Sequence, residues 1–208
     1  MGWQKLQEEY DYSFPRKRIY EYPHSKASTS RIYLTMKRAM DIGISFFGLV
    51  LLLPAFAVIG LLIKLEDPRG KVLFRQMRVG KDGVQFPMYK FRSMVSNAEA
   101  LKAALLEQNE VSGAMFKMRN DPRVTKVGRV LRKTSLDELP QLWNVLRGHM
   151  SLVGPRPALP DEVREYTPRD RRRLAVTPGC TGLWQVSGRS SVGFEEMGEL
   201  DLRYIRTR

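Results

Sequence analysis

The chain has 208 residues, with 35 Lys and Arg against 22 Asp and Glu for a formal net charge of +13. That length suits one domain with an appendage, and a hydrophobic share of 43% excludes wholesale disorder. The lone Cys180 excludes an internal disulfide, His24 and His149 lie far apart in sequence, which argues against a Cys/His zinc site, and the cationic excess calls for an anionic partner: nucleic acid, a membrane surface or a phosphorylated substrate.

Residues 1–30, rich in Tyr, Lys, Arg and Ser with little apolar periodicity, read as an N-terminal extension. Ile42 to Ile63 is 22 residues without a charge, long enough at about 1.5 Å each to cross a hydrocarbon core of roughly 30 Å. It lies too deep in the chain, after too many charges, for a signal peptide. Pro54 near its middle removes a backbone hydrogen bond and bends the helix. Both flanks are basic: Lys26, Arg31, Lys37 and Arg38 before it, and Lys64, Arg69, Lys71, Arg75 and Arg78 after it. Cationic flanks stay on the cytoplasmic side, so neither end has reason to translocate. The pattern predicts a helix over 31–66 that enters the bilayer, turns at Pro54 and leaves on the same face, in preference to a simple span.

Beyond it, "VLFRQMRV" and "VQFPMYKF" flank "GKDG", which predicts a β-hairpin with Asp82-Gly83 in its turn. Asn97 to Asn109 reads as a short amphipathic helix with Ala98, Leu101, Leu105 and Leu106 on one side. In "KTSLDELPQLWNVLRG", two adjacent carboxylates, Asp137 and Glu138, precede a proline. Ser135-x-x-Glu138 has the form of a capping box, but a helix starting at Ser135 would set Pro140 one turn too deep. A start near Asp137 fits better, with Glu138-Leu139-Pro140 as first turn and Leu142, Trp143 and Leu146 as the apolar stripe. Both carboxylates would then sit ionised at the positive end of a helix dipole.

A proline-rich loop, "VGPRPALP", leads to a charged helix expected around Asp161 to Arg173 and then to "TPGCTGLWQVSGRS". Arg169, Arg171, Arg172 and Arg173 read as a solvated helix face. Arg156, between two prolines, reads instead as a guanidinium held in place, whose fork matches phosphate oxygens two at a time. Strand content is small, β/α/β alternation is missing, and there is neither a GxxxxGK[ST] nor a GxGxxG loop. The expected fold is α+β, mainly helical with a small antiparallel β-hairpin, and an N-terminal re-entrant helix bent at Pro54. The expected division is an extension over 1–30, the membrane helix over 31–66 and a cytosolic catalytic domain over 67–208.

The succession "KRAMD" (37–41), the apolar helix with central Pro54, "FRQMRVGKDGVQFPMYKFRSM" (74–94), "DPRVTKVGRVLRKTSLDELPQLWNVLRGHMSLVGPRP" (121–157) and "TPGCTGLWQVSGRS" (177–190) closely resembles the bacterial sugar transferase family. Its members are also called monotopic phosphoglycosyl transferases. The resemblance implies transfer of a sugar 1-phosphate from a UDP-sugar to undecaprenyl phosphate in the inner leaflet of the bacterial inner membrane, at its cytoplasmic face, releasing UMP. It implies Asp137 as the nucleophile that carries the phosphosugar and Glu138 as the Mg²⁺ ligand. Arg132 and Arg156 match positions that clamp phosphates; Lys90, Arg92, Arg123 and Arg189 sit in motifs lining the family's site. Lys37, Arg38 and Asp41 match the interfacial motif at the helix mouth, where cations meet lipid phosphate.

The chemistry agrees with that assignment. A pyrophosphate repels an attacking carboxylate until a cation neutralises its oxygens, and hard Mg²⁺ commonly takes only one or two protein ligands. Two successive displacements let one small site serve a soluble donor and then a lipid acceptor. "TGLWQVSGRS" leans toward hexose 1-phosphate, galactose or glucose; the alternatives are an N-acetylated amino-sugar 1-phosphate or a catalytically silent membrane-anchored scaffold. The implied partners are the UDP-sugar, undecaprenyl phosphate, membrane lipids and downstream glycosyltransferases. A homodimer is compatible with the same reading, and nucleic acid is disfavoured because no binding motif accompanies the charge. Many relatives carry serine before the bend proline, where this chain has Leu53, and many run on beyond "LDLRYIRTR", so the chain is expected to be trimmed at its C-terminus.

Overall fold

A computed structural model describes residues 30–102, 104–105, 118, 120–188 and 193–208. The expected extension up to residue 29, residues 103 and 106–109 of the expected Asn97–Asn109 helix, and Arg189 lie outside these residues. The architecture is α+β and mostly helical.

Helix α1 (Arg31–Leu51) and helix α2 (Leu53–Glu66) meet at Leu52 with a bend of 60°. Leu52 N–H still donates to Gly48 O at 3.0 Å, and Phe56 N–H resumes the ladder to Leu52 O at 2.9 Å. Pro54, which has no N–H, falls in the first turn of α2, where none is needed. Among the described residues no single helix is long and apolar enough to cross a membrane, but the bent pair passes that test together by length and composition. Its outer face is apolar and open, at Phe47, Leu51, Leu53 and Leu65 among others.

Strands β1 (Leu73–Val79) and β2 (Gln85–Phe91) pair antiparallel from Leu73↔Phe91 to Val79↔Gln85. The connecting turn has Asp82 and Gly83 at φ 55° and 73°, a left-handed pair that matches strand twist. Of the Asn97–Asn109 helix, α3 (Ala98–Lys102) is described as helix. Then come α4 (Lys126–Thr134), a 3₁₀ turn (Leu136–Glu138) and α5 (Gln141–Leu146). The helix expected from Asp137 therefore begins four residues later. Pro140, with helical φ and ψ, stands just before it, and the carboxylates occupy a separate turn.

Strands β3 (Ser151–Val153) and β4 (Gly179–Thr181) pair in parallel, a contact that no alternation in the sequence announced. Between them the single charged helix expected around Asp161 to Arg173 is two pieces, α6 (Pro160–Arg164) and a 3₁₀ turn (Asp170–Ala175). Pro168 divides them, since the residue before a proline is driven out of helical conformation. Thr167 and Asp170 then cap the second piece: Thr167 N–H and Oγ1 donate to Asp170 Oδ2 at 3.1 and 2.6 Å. The solvated reading of the arginines fails for Arg173, which is 2% exposed and bound to Asp201 through Nε at 2.9 Å. The chain closes with α7 (Leu183–Val186) and α8 (Phe194–Thr207).

The core lies in three small groups. Ile59 and Ile63 of α2 pack with Phe91 and Leu131, Phe86 and Met88 of β2 with Val145 and Met150, and Val79 with Val163, Tyr166 and Leu174. Strand β2 thus has helices α2 and α4 on one side and α5 on the other, and by alternation Lys90 shares the face of Phe86 and Met88, from which it reaches Glu138.

Candidate active site

The chain reaches Asp137 and Glu138 through a helix that ends abruptly. The Thr125 hydroxyl caps α4 by accepting the Gly128 N–H at 2.9 Å, and the helix stops at Ser135, left-handed at φ 60°. The turn Leu136–Glu138 follows, closed by Glu138 N–H to Ser135 O at 3.2 Å and Leu139 N–H to Leu136 O at 3.3 Å. Gly128 sets how near α4 lies to the end of β2, because a Cβ there would meet Ser93 O at 2.0 Å. That approach lets Arg132 Nε donate to Ser93 Oγ at 2.9 Å.

Asp137 is 8% exposed and faces the charges of Lys90, Glu138 and Arg132. Burial pushes its carboxyl above the ordinary carboxylate value; Lys90 and Arg132 oppose the push and Glu138 adds to it. The expected stabilisation of both carboxylates by a helix dipole gives way to this desolvation, since α5 starts after them and has only six residues. Glu138 is more open, and its Oε1 accepts from Lys90 Nζ at 2.5 Å.

A second group of charges stands on the proline-rich loop. Arg156 Nη1 and Nη2 donate to Glu162 at 2.9 and 3.3 Å, and Glu162 also takes the Leu159 N–H at 2.8 Å. Burial would raise the Glu162 carboxyl, but Arg156 and these hydrogen bonds outweigh it and hold the pKa below its usual value. Arg78, on β1, donates to Pro157 O at 3.0 Å and to Gln76 Oε1 at 2.7 Å. Burial, with Arg156 beside it, pulls the Arg78 guanidinium down to about 10, while Glu162 and Glu138 counter. Its charge therefore reaches both groups.

Sequence reasoning counted Arg78 only as a flanking cation and passed over Glu162. A buried arginine has no periodic signature before the loop that accepts its hydrogen bonds is known. Glu162 carried one signal, three residues after Leu159 at a proline-led helix start.

The other expected site residues are distributed differently. Arg92 donates to Asp67 Oδ2 at 2.5 Å and Asp67 O at 2.6 Å, closing the end of α2. Arg123 binds Asp121 through Nε at 2.9 Å and Nη2 at 2.7 Å, and both charges act on Arg132. Arg38 donates to Val145 O and Leu146 O at 2.7 and 2.9 Å, so it caps α5. Lys37 Nζ donates to Ser151 Oγ at 2.5 Å, and Asp41 accepts from Ser151 Oγ at 2.7 Å and Leu152 N–H at 3.0 Å. These three side chains bind α1 to α5 and β3. Cys180 is held neutral, its thiol pushed up to about 12 by burial and by Glu138 and Asp41.

Among the described residues no three His, Cys, Asp or Glu side chains cluster as a self-sufficient metal cage. A cation that completes its shell with substrate oxygens and water would need only one or two protein ligands; the residues that would offer one are Asp137 and the part-exposed Glu138, whose Oε1 is held by Lys90.

The family model described as bacterial sugar transferase matches residues 32–208. The chain is 45% identical over 189 residues to a Streptococcus agalactiae protein named galactosyl transferase CpsE, covering 90% of this chain and 40% of the relative. It is 45% identical over 175 residues to the undecaprenyl-phosphate galactose phosphotransferase of Salmonella typhimurium, covering 82% and 36%. It is 40% identical over 174 residues to the exopolysaccharide production protein ExoY of Sinorhizobium fredii, covering 82% and 76%. The chain thus spans less than half the length of the first two. The ordered motifs, the buried Asp137 beside Glu138 and the match over 32–208 agree: the chain belongs to the bacterial sugar transferase family.

Proposed function

We propose that the protein transfers a hexose 1-phosphate, of galactose or glucose, from a UDP-sugar to undecaprenyl phosphate at the cytoplasmic face of the bacterial inner membrane, releasing UMP. Asp137 carries this reading: a buried carboxylate between Lys90 and Arg132, with an open carboxylate beside it. A desolvated carboxylate is a stronger nucleophile, and the cations around it meet the charge of a diphosphate.

In the first step an Asp137 oxygen bonds to the sugar-bearing phosphorus as the bond from that phosphorus to the bridging oxygen breaks. UMP leaves with the electron pair. In the second, an oxygen of undecaprenyl phosphate attacks the same phosphorus and Asp137 departs as a carboxylate. Lys90, Arg132 and Arg156 hold the phosphoryl oxygens in line, and the enclosed position of Asp137 keeps water from intercepting the adduct. Mg²⁺ at Glu138 would supply charge neutralisation on the phosphate oxygens. The bent α1–α2 pair, with its apolar outer face and basic flanks, supports re-entrant insertion that keeps the site at the membrane surface where the lipid acceptor lies. The product would feed glycosyltransferases of polysaccharide or glycoconjugate assembly.

A panel of UDP-sugars, with and without undecaprenyl phosphate, tests this. Wild type with UDP-galactose or UDP-glucose is expected to release UMP in a Mg²⁺-dependent manner. Without acceptor, mass spectrometry should find a hexose-phosphate adduct on the peptide containing Asp137, and Asp137→Asn should release no UMP. An adduct that persists in Asp137→Asn, or UMP release that requires both substrates bound, overturns the two-step mechanism.

A further inference from the structure

We infer that Arg78 is a positioning residue of the phosphate site: its guanidinium fixes the Pro155–Pro157 loop and thereby sets where Arg156 meets the substrate's phosphates. The inference rests on the proposed sugar-phosphate transfer and adds Arg78 to the residues that serve it.

Three observations carry it. First, the loop is held to β1 at two successive residues, by Arg78 Nη1 on Pro157 O at 3.0 Å and by Val79 N–H on Ala158 O at 2.9 Å. Arg78 thus binds the carbonyl next in sequence to Arg156. Second, Arg78 is 91% buried, since its exposure is 9%, and its Nε has no hydrogen-bond partner. A guanidinium is costly to bury, and a carbonyl alone could be satisfied by a neutral donor such as glutamine. The charge has a use where it acts on other charges. Third, those charges are the site's own: Arg78 feels Arg156, Glu162 and Glu138.

Glu162 sits between the two guanidiniums in this electrostatic sense, attracted by both. Arg78 therefore takes up part of the Glu162 charge that would otherwise fall on Arg156, leaving more of the Arg156 charge for an incoming phosphate. Position and charge both pass through Arg156, so the effect of Arg78 should vanish when Arg156 is gone.

A double-mutant cycle on UMP release reads this directly. Arg78→Gln, which keeps a donor and removes the charge, is expected to lower kcat/KM for the UDP-sugar by about tenfold to a hundredfold, mostly through KM. In an Arg156→Ala background it should change kcat/KM by less than about twofold. Arg78→Lys should recover part of the loss, and thermal unfolding identifies any variant that has lost its fold. Gln76→Leu, which removes the other partner of Arg78 without touching it, should give a smaller loss that likewise disappears in the Arg156→Ala background. Fully additive losses, or unchanged kcat/KM in folded Arg78→Gln and Gln76→Leu proteins, would overturn the inference and leave the proposed reaction standing. A wild-type protein that releases no UMP from any UDP-sugar would overturn the reaction, and the role of Arg78 with it.

Discussion

Asp137 and Glu138 share a turn but not an environment, and the difference has a sign that can be measured. The folded-state pKa of Asp137 lies above its ordinary value of 3.8. Its ionisation therefore costs stability: the fold is unburdened below that ordinary value and loses stability as pH rises through the raised pKa. Asp137→Asn should then raise the unfolding temperature at neutral pH, and the gain should disappear in acid where the wild-type carboxyl is also neutral. In the proposed reaction activity runs the other way, because the carboxylate is the species that would attack, so the acid limb of kcat/KM should lie above 3.8. Thermal scans and pH–rate profiles on wild type and Asp137→Asn check both. The residue types of the dyad, with Lys90 and Arg132, were readable from the chain. Their environment was not: burial at position 137 depends on how closely α4 approaches β2, and a sequence states spacing along a chain rather than distance across it.

At the level of elements, that approach hangs on Gly128. Gly128→Ala presses a methyl group into the Ser93 carbonyl, so α4 must move, at a cost of about 1–3 kcal/mol. The displaced helix carries Arg132 and the dyad turn with it, so kcat should fall even at temperatures where the protein stays folded. Urea titration against single-turnover rates separates the two losses. The bend at Leu52 allows a different test. Cysteines at Ser30 and exposed Lys71 should be labelled from the same side of a bilayer; labelling from opposite sides restores a transmembrane span. Gly70 is unsuited to this use, since a Cβ there meets Arg92 at 2.0 Å. The hairpin and the proline break were legible because Asp-Gly and Pro act locally, through φ and a missing N–H. The β3–β4 pairing was not, since it depends on residues distant in the chain; the division at Pro168 rests on a local signal, a proline inside a charged run, that the reading of 161–173 as one helix passed over.

For the whole molecule, the net charge of +13 and the apolar face of α1–α2 act over different ranges. Binding to phosphatidylglycerol vesicles should weaken as salt rises, then level off at a residual affinity set by the helix pair, because salt screens charge and leaves apolar insertion intact. Flotation at graded salt measures both. The C-terminal helix has its own part in holding the molecule together. Asp201 of α8 binds Arg173 through Nε, and its carboxylate also feels the charge of Arg156. Asp201→Asn leaves a buried cation without its countercharge, which should cost roughly 3–5 kcal/mol of stability. It should also loosen Arg156, so the KM for the UDP-sugar should rise before global unfolding.

Asn144, at 0% exposure, gives its side-chain oxygen to the Tyr89 N–H at 3.0 Å and donates its Nδ2 to Pro87 O at 2.6 Å. One amide thereby imitates the next strand of a sheet along the side of β2 that β1 leaves open. An unguarded strand edge recruits strands from other molecules; this side chain occupies that stretch of the edge as well as anchoring α5. Asn144→Asp retains size but turns the donor into a second acceptor facing Pro87 O. The variant should form concentration-dependent oligomers at loadings where wild type sediments as a single species.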